Sequence, residues 1–194
     1  MTERPKVHDW KSCVPVRVPR VQIPLSPLVL VGIMRIPKIY LETTIFNFPF
    51  ADDAVNYQSD TLKLFEEIKA GKFAPFTSEY VILELDRTKD IGKLEQMKAL
   101  IAGYGVKVIP MNENTEQLAN IYVKEGVIPL KYKTDALHIA VASVAGLDCV
   151  VSLNFKHIVK RKTTIETGII NIREGYSRVF IYTPMEVTDY AEIA

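Results

Sequence analysis

At 194 residues with 48% hydrophobic content, the chain is long enough to bury one core, and its length calls for no second domain. Lys+Arg 24 against Asp+Glu 23 gives a formal charge of +1, which excludes a protein that holds nucleic acid mainly through an overall positive field and leaves a local basic patch as the electrostatic option. Two cysteines, Cys13 and Cys149, stand far apart with no CxxC or CxxH partner, so neither a disulfide framework nor structural zinc is indicated and a reducing cytoplasm fits best.

Residues 1–33 hold five of the eleven prolines (Pro5, Pro15, Pro19, Pro24, Pro27) and the only tryptophan, Trp10, without a sustained helical or alternating period. They carry a net charge of +3, leaving −2 on the remainder. The run Leu28-Val29-Leu30-Val31-Gly32-Ile33 is too short for a bilayer, which needs about 20 apolar residues, so no membrane span is expected. No small-residue cleavage site follows a basic start, which argues against export. Met34 directly precedes the first good strand, so residues 1–33 are expected to be a disordered arm or the product of an upstream start, and 34–194 the folded domain.

From Lys38 onward, elements alternate. Residues 38–41 read as a strand, and 55–69 as an amphipathic helix through Leu62, Leu64, Phe65 and Ile68 that Gly71 stops. A strand at 73–76 follows, then a helix capped by Ser78 through Val81, Ile82 and Leu85, and another through Leu94, Met97, Leu100 and Ile101. Residues 106–109 read as a third strand. Asn114 or Thr115 caps a helix through Leu118, Ile121 and Tyr122; Thr134 caps one through Leu137, Val141 and Val144 that Gly146 closes. A fourth strand at 149–152, a basic helical stretch at 155–162 and an edge strand at 179–182 before Pro184 complete the series. Strands separated by helical crossovers imply an α/β fold, a single domain whose central mostly parallel sheet is flanked by helices as a three-layer sandwich.

Functional residues in such sheets collect outside the carboxyl ends of the strands. Glu42 follows strand one, Asn154 follows strand four, and Asp135 opens a helix that packs on the same sheet. Glu84 lies within an apolar helix. Acids tolerated beside buried elements suggest a shared divalent cation that offsets their repulsion. Each also has an ordinary reading: Glu42 as a strand-end surface acid, Glu84 on the solvent side of its helix, Asp135 as a helix-start acid favoured by the dipole, Asn154 as a cap. Thr44 places a hydroxyl two residues after Glu42. His138, one turn after Asp135, reads as a partner of the ligands rather than as a ligand, and Asp148 as a turn acid. The densest basic stretch, Lys156, His157, Lys160, Arg161 and Lys162, is either a solvated face or a phosphate contact. No GxGxxG or GxxxxGK[ST] follows any strand, which disfavours a nucleotide-binding domain.

Taken in order and spacing, Ile39-Tyr40-Leu41-Glu42-Thr43-Thr44-Ile45-Phe46-Asn47, Asp135-Ala136-Leu137-His138-Ile139-Ala140 and Val151-Ser152-Leu153-Asn154-Phe155-Lys156-His157-Ile158 resemble a PIN domain of the VapC-like kind, over roughly residues 35–184. The resemblance implies a PIN-like sandwich and a Mg²⁺- or Mn²⁺-dependent ribonuclease of the toxin–antitoxin type, with RNA as substrate, an antitoxin protein as partner and a homodimer as assembly. It places Glu42, Glu84 and Asp135 as metal ligands, Thr44 and Asn154 as orienting residues of the catalytic set, and Lys156 and Arg161 on the RNA backbone. Two positions depart from the family pattern. Glu42 stands where the family carries aspartate, which moves the carboxylate by roughly 1.5 Å, and the neutral Asn154 stands where many members carry a fourth acid. The corresponding alternative is a catalytically weak or inactive PIN-like binding or regulatory module.

Overall fold

The computed structural model describes residues 35–51 and 54–193, with the backbone alone for 190–193. Expectations for residues 1–33 lie outside the described residues. Short apolar runs punctuated by turn residues form five strands: β1 (Lys38–Leu41), β2 (Ala74–Ser78), β3 (Lys107–Ile109), β4 (Cys149–Val151) and β5 (Phe180–Tyr182). They make one sheet in the order β3-β2-β1-β4-β5, and every pairing is parallel.

Parallel neighbours need crossovers, and helices supply them. From β1 the chain runs through α1 (Thr43–Asn47) and α2 (Val55–Lys69) to β2, then α3 (Glu79–Leu85) and α4 (Ile91–Gly103) to β3. It continues through α5 (Glu113–Lys124) and α6 (Lys133–Val144) to β4, α7 (Arg161–Arg173) to β5, and α8 (Pro184–Ile193). Helices on both faces bury the central strands: Ile39, Tyr40, Leu41, Val150 and Val151 are fully buried. Their near-continuous apolar character is what two-sided burial requires. No helix among the described residues is long and apolar enough to cross a membrane.

The winding reverses beside β1. The chain steps outward from β1 to β2 and β3, then returns to place β4 on the other side of β1, with Leu41 opposite Val151. A crevice opens where neighbouring strands feed helices on opposite sides, so the carboxyl ends of β1 and β4 mark the place for a site. Glu42 and Ser152 are the first residues past those ends.

Several local expectations differ from the structure. Residues 155–158 form a turn rather than a helix, and the helix begins only at Arg161. Asn112, not Asn114 or Thr115, caps α5 by accepting from the Thr115 amide at 2.9 Å. Tyr132 occupies the cap position of α6, which leaves Thr134 inside the helix. Ser78 does precede α3, but its hydroxyl turns to the Tyr40 hydroxyl at 2.7 Å instead of capping. Gly71 and Gly146 take φ of +78° and +62°, the left-handed turn that ends α2 and α6 as expected.

Candidate metal centre

Glu42 is only 3% exposed. Its backbone is extended, and it occupies the cap position of α1. One carboxylate oxygen, Oε2, accepts from the Thr44 amide at 3.1 Å, the Thr44 hydroxyl at 2.5 Å and the Ser152 hydroxyl at 2.9 Å. Thr44 Oγ1 in turn accepts from the Leu153 amide at 2.9 Å, and Ser152 Oγ from the Asn154 amide at 3.0 Å. Glu42 Oε2 thus bridges the ends of β1 and β4, while Oε1 has no hydrogen-bond donor among the described residues. A carboxylate accepting this many donors is held firmly in place.

Glu84 reaches the same region from α3. Its Oε2 accepts from the Thr43 hydroxyl and from His138 Nε2, the latter at 3.1 Å. Burial pushes the Glu84 carboxyl up, but the hydrogen bond and charge of His138, with Thr43 and Arg87, outweigh it and hold the group below its ordinary value. His138 is fully buried on α6, and its Nδ1 lies 2.9 Å from the Tyr40 hydroxyl. Burial alone would lower its pKa; the Glu84 hydrogen bond and the charges of Glu42, Glu84 and Asp135 raise it instead.

Glu42, Glu84 and His138 each offer one ligand atom, and these atoms lie within 4.8 Å of one another. This group can hold a metal ion. His138 already has both ring nitrogens engaged by Tyr40 and Glu84, which suits a residue that orients a ligand better than one that binds directly. Asp135 stands in the first turn of α6. Burial raises its carboxyl to about 6, with the nearby charges of Glu42 and Glu84 adding to the effect and His138 and Asn154 opposing it. The three carboxylates therefore interact as one cluster with more negative charge than the single imidazole offsets.

Asn154 donates its side-chain amide to Asp135 Oδ1 at 3.2 Å and accepts the His157 amide at 3.1 Å on its carbonyl. Its carbonyl oxygen is thus spent on the turn at 155–158, and the side chain steadies Asp135 rather than presenting an oxygen to a cation. Oxygen donors remain on all three acids: among the described residues no hydrogen bond reaches Glu42 Oε1, Glu84 Oε1 or Asp135 Oδ2. Such a set suits a hard divalent cation.

The same turn carries the basic stretch to the rim. Lys156 Nζ lies 5.4 Å from the centroid of the Tyr132 ring, on which His157 stacks at 3.7 Å, and Lys131 lies over the same ring at 5.5 Å. Phe155, 44% exposed, packs 5.5 Å from Tyr57. Arg161 is exposed at the start of α7. A cavity of about 750 Å³ lies elsewhere, at the amino ends of the strands, beside the ion pair of Arg35 and Asp148. Asp148 also accepts the Lys38 amide at 2.7 Å, the turn role its position suggests.

The sequence points to Glu42, Glu84 and Asp135 as metal ligands with His138 as their partner, whereas the group whose ligand atoms lie within 4.8 Å of one another comprises Glu42, Glu84 and His138. The supporting hydroxyls of Thr43, Ser152, Tyr40 and Ser78 were not anticipated; two adjacent threonines after Glu42 and a serine at a buried strand end were the available signals. No protein-family model and no curated protein matches this chain.

Proposed function

We propose that the chain is a metal-dependent endoribonuclease of the PIN, VapC-like class, using Mg²⁺ or Mn²⁺ to hydrolyse phosphodiester bonds in RNA. The observation that carries this reading is the convergence of Glu42, Glu84 and His138, with ligand atoms within 4.8 Å of one another, and Asp135 close enough to interact electrostatically with all three. A divalent cation held there would supply positive charge to a phosphoryl oxygen and lower the pKa of a coordinated water. Thr44 and Ser152 fix the Glu42 carboxylate, His138 and Thr43 fix Glu84, and Asn154 fixes Asp135. Little reorganisation is then needed on binding.

In this reading Lys156 and the exposed Arg161 contact the phosphate backbone of the RNA. The exposed faces of Phe155 and Tyr57 suit unpaired bases, which favours single-stranded RNA over duplex. An antitoxin protein covering this cleft belongs to the same reading. With Mn²⁺, the purified protein is expected to cut single-stranded RNA, and Asp135→Asn to lose on the order of 100-fold or more of that rate. Equal cleavage by both proteins would assign the activity to a contaminant or another site.

A second reading has its own observation. His138 already places an imidazole inside the acid cluster, and Asn154 contributes no charge, so the cluster is partly compensated without a metal. That describes a PIN-like binding or regulatory module without catalysis. Absence of Mn²⁺ binding at millimolar concentration would favour it.

A further inference from the structure

The cavity at the amino ends of the strands lies at the opposite end of the sheet from the acid cluster, and nothing in the proposed chemistry uses it. At about 750 Å³ it falls within the range of small-molecule sites. Its walls include Phe73, Leu147, Val187, Phe180 and Tyr182, an apolar lining with three aromatic rings. Phe180 and Tyr182 alternate along β5, and their rings lie within 11° of parallel with centroids 6.0 Å apart, so together they make a flat wall. Cys149 is the register partner of Phe180 and projects from the same face of the sheet. Burial pushes its thiol up to about 12, which leaves that part of the cavity uncharged at neutral pH.

Two arginines and one aspartate supply the charges of the lining. Asp148 is engaged by Arg35 and by the Lys38 amide, the latter at 2.7 Å. Arg178 has no acidic partner and makes no hydrogen bond among the described residues, so the cavity carries one uncompensated positive charge. An exposed arginine without a partner is ordinary; the seat of this one is not. Gly168 lies buried in the interior of α7, where glycine is less stable than alanine. A Cβ at that position would stand 2.9 Å from Arg178 Nε and 3.3 Å from its Cγ. The helix thus gives up a methyl group where the arginine stem crosses it, and the side chain is seated beside the cavity.

We propose that this cavity binds a small aromatic carboxylate, its ring against Phe180 and Tyr182 and its carboxylate on the Arg178 guanidinium. The charge count selects the anion. One free cation matches one negative charge, whereas a phosphate monoester carries close to two and would leave its second charge without a partner. A guanidinium meets a carboxylate with two parallel hydrogen bonds, and a wall of flat rings favours an aromatic body over an alkyl chain. The inference does not depend on the nuclease reading.

Isothermal titration of 2-naphthoate into the full chain tests it, with the neutral 2-naphthamide and the more highly charged 2-naphthyl phosphate as comparisons. One 2-naphthoate per chain is expected, with each comparison compound weaker by about ten-fold or more. Arg178→Ala is expected to weaken 2-naphthoate to a similar extent. Gly168→Ala keeps every lining side chain but displaces the arginine stem, and is expected to weaken binding several-fold without lowering the melting temperature. Asp135→Asn is expected to bind 2-naphthoate as the wild type does, which separates this cavity from the metal centre. Absence of binding at millimolar 2-naphthoate, equal or tighter binding of either comparison compound, or loss of binding in Asp135→Asn would overturn the proposal. So would undiminished affinity in Arg178→Ala or Gly168→Ala.

Discussion

Glu42 caps a helix with one carboxylate oxygen and leaves the other without a protein donor. Glutamate rarely serves at a cap, where a shorter side chain reaches the second and third amides directly. The extra methylene explains the choice: it carries Oε2 to the Thr44 amide and the Ser152 hydroxyl together, so the added reach joins two strand ends. Asp135 shows the opposite situation, a carboxyl with few donors and acidic neighbours. Its pKa in the fold is about 6 against an ordinary 3.8, so its contribution to stability is present below about pH 4 and is lost as pH rises through 6. Asp135→Asn is therefore expected to stabilise the metal-free protein at pH 7 by on the order of 1 kcal/mol, discounted for its part-exposed position, and to leave stability unchanged near pH 3.5. Urea denaturation at the two pH values measures this; a variant less stable than wild type at pH 7 would show that Asp135 is not under electrostatic strain.

The elements show where patterning informs and where it misleads. The helix at Val55–Lys69 was legible to the residue, because its apolar positions follow one face and Gly71 ends it. α7 was not, since its buried face is polar and its outer face apolar; a reader expecting isoleucines inside places the helix in the basic run before it. Pro184 was read as the end of a strand, yet it also opens α8, the first-turn position where its missing N–H costs nothing. The five-residue α1 left no period to detect. The polar side of α7 makes a specific demand: Asn171→Ala removes the side chain that accepts from the Tyr122 hydroxyl and donates to Ser143 Oγ, leaving Tyr122 only its 3.3 Å contact with Ser143 Oγ. It is expected to destabilise the protein by about 1–3 kcal/mol in denaturant titration, whereas a cost near zero would mean that α7 owes its orientation to something else.

At the scale of the molecule, the parallel sheet was readable from alternation alone, because two-sided burial demands apolar runs and parallel pairing demands helical crossovers. Strand order was not readable. It is the return of β4 to the free side of β1 that brings Glu42 next to Ser152 and Asn154, and no local pattern encodes that placement. The individual acids were ambiguous in sequence for the same reason: their partners include residues distant in the chain, Ser152 for Glu42, Thr43 and His138 for Glu84, and Asn154 for Asp135. His138 was recognised as a companion of Asp135, but its hydrogen bond to Glu84 depends on α3 and α6 meeting beneath the switch point. The proposed function requires that Glu42, Glu84 and Asp135 together hold one divalent cation. Isothermal titration of Mn²⁺ into the wild type and Glu84→Gln tests it most directly. A single site of sub-millimolar affinity is expected in the wild type, weakening by roughly 10–100-fold in the variant. Absence of binding in the wild type, or the same affinity in both proteins, would contradict it.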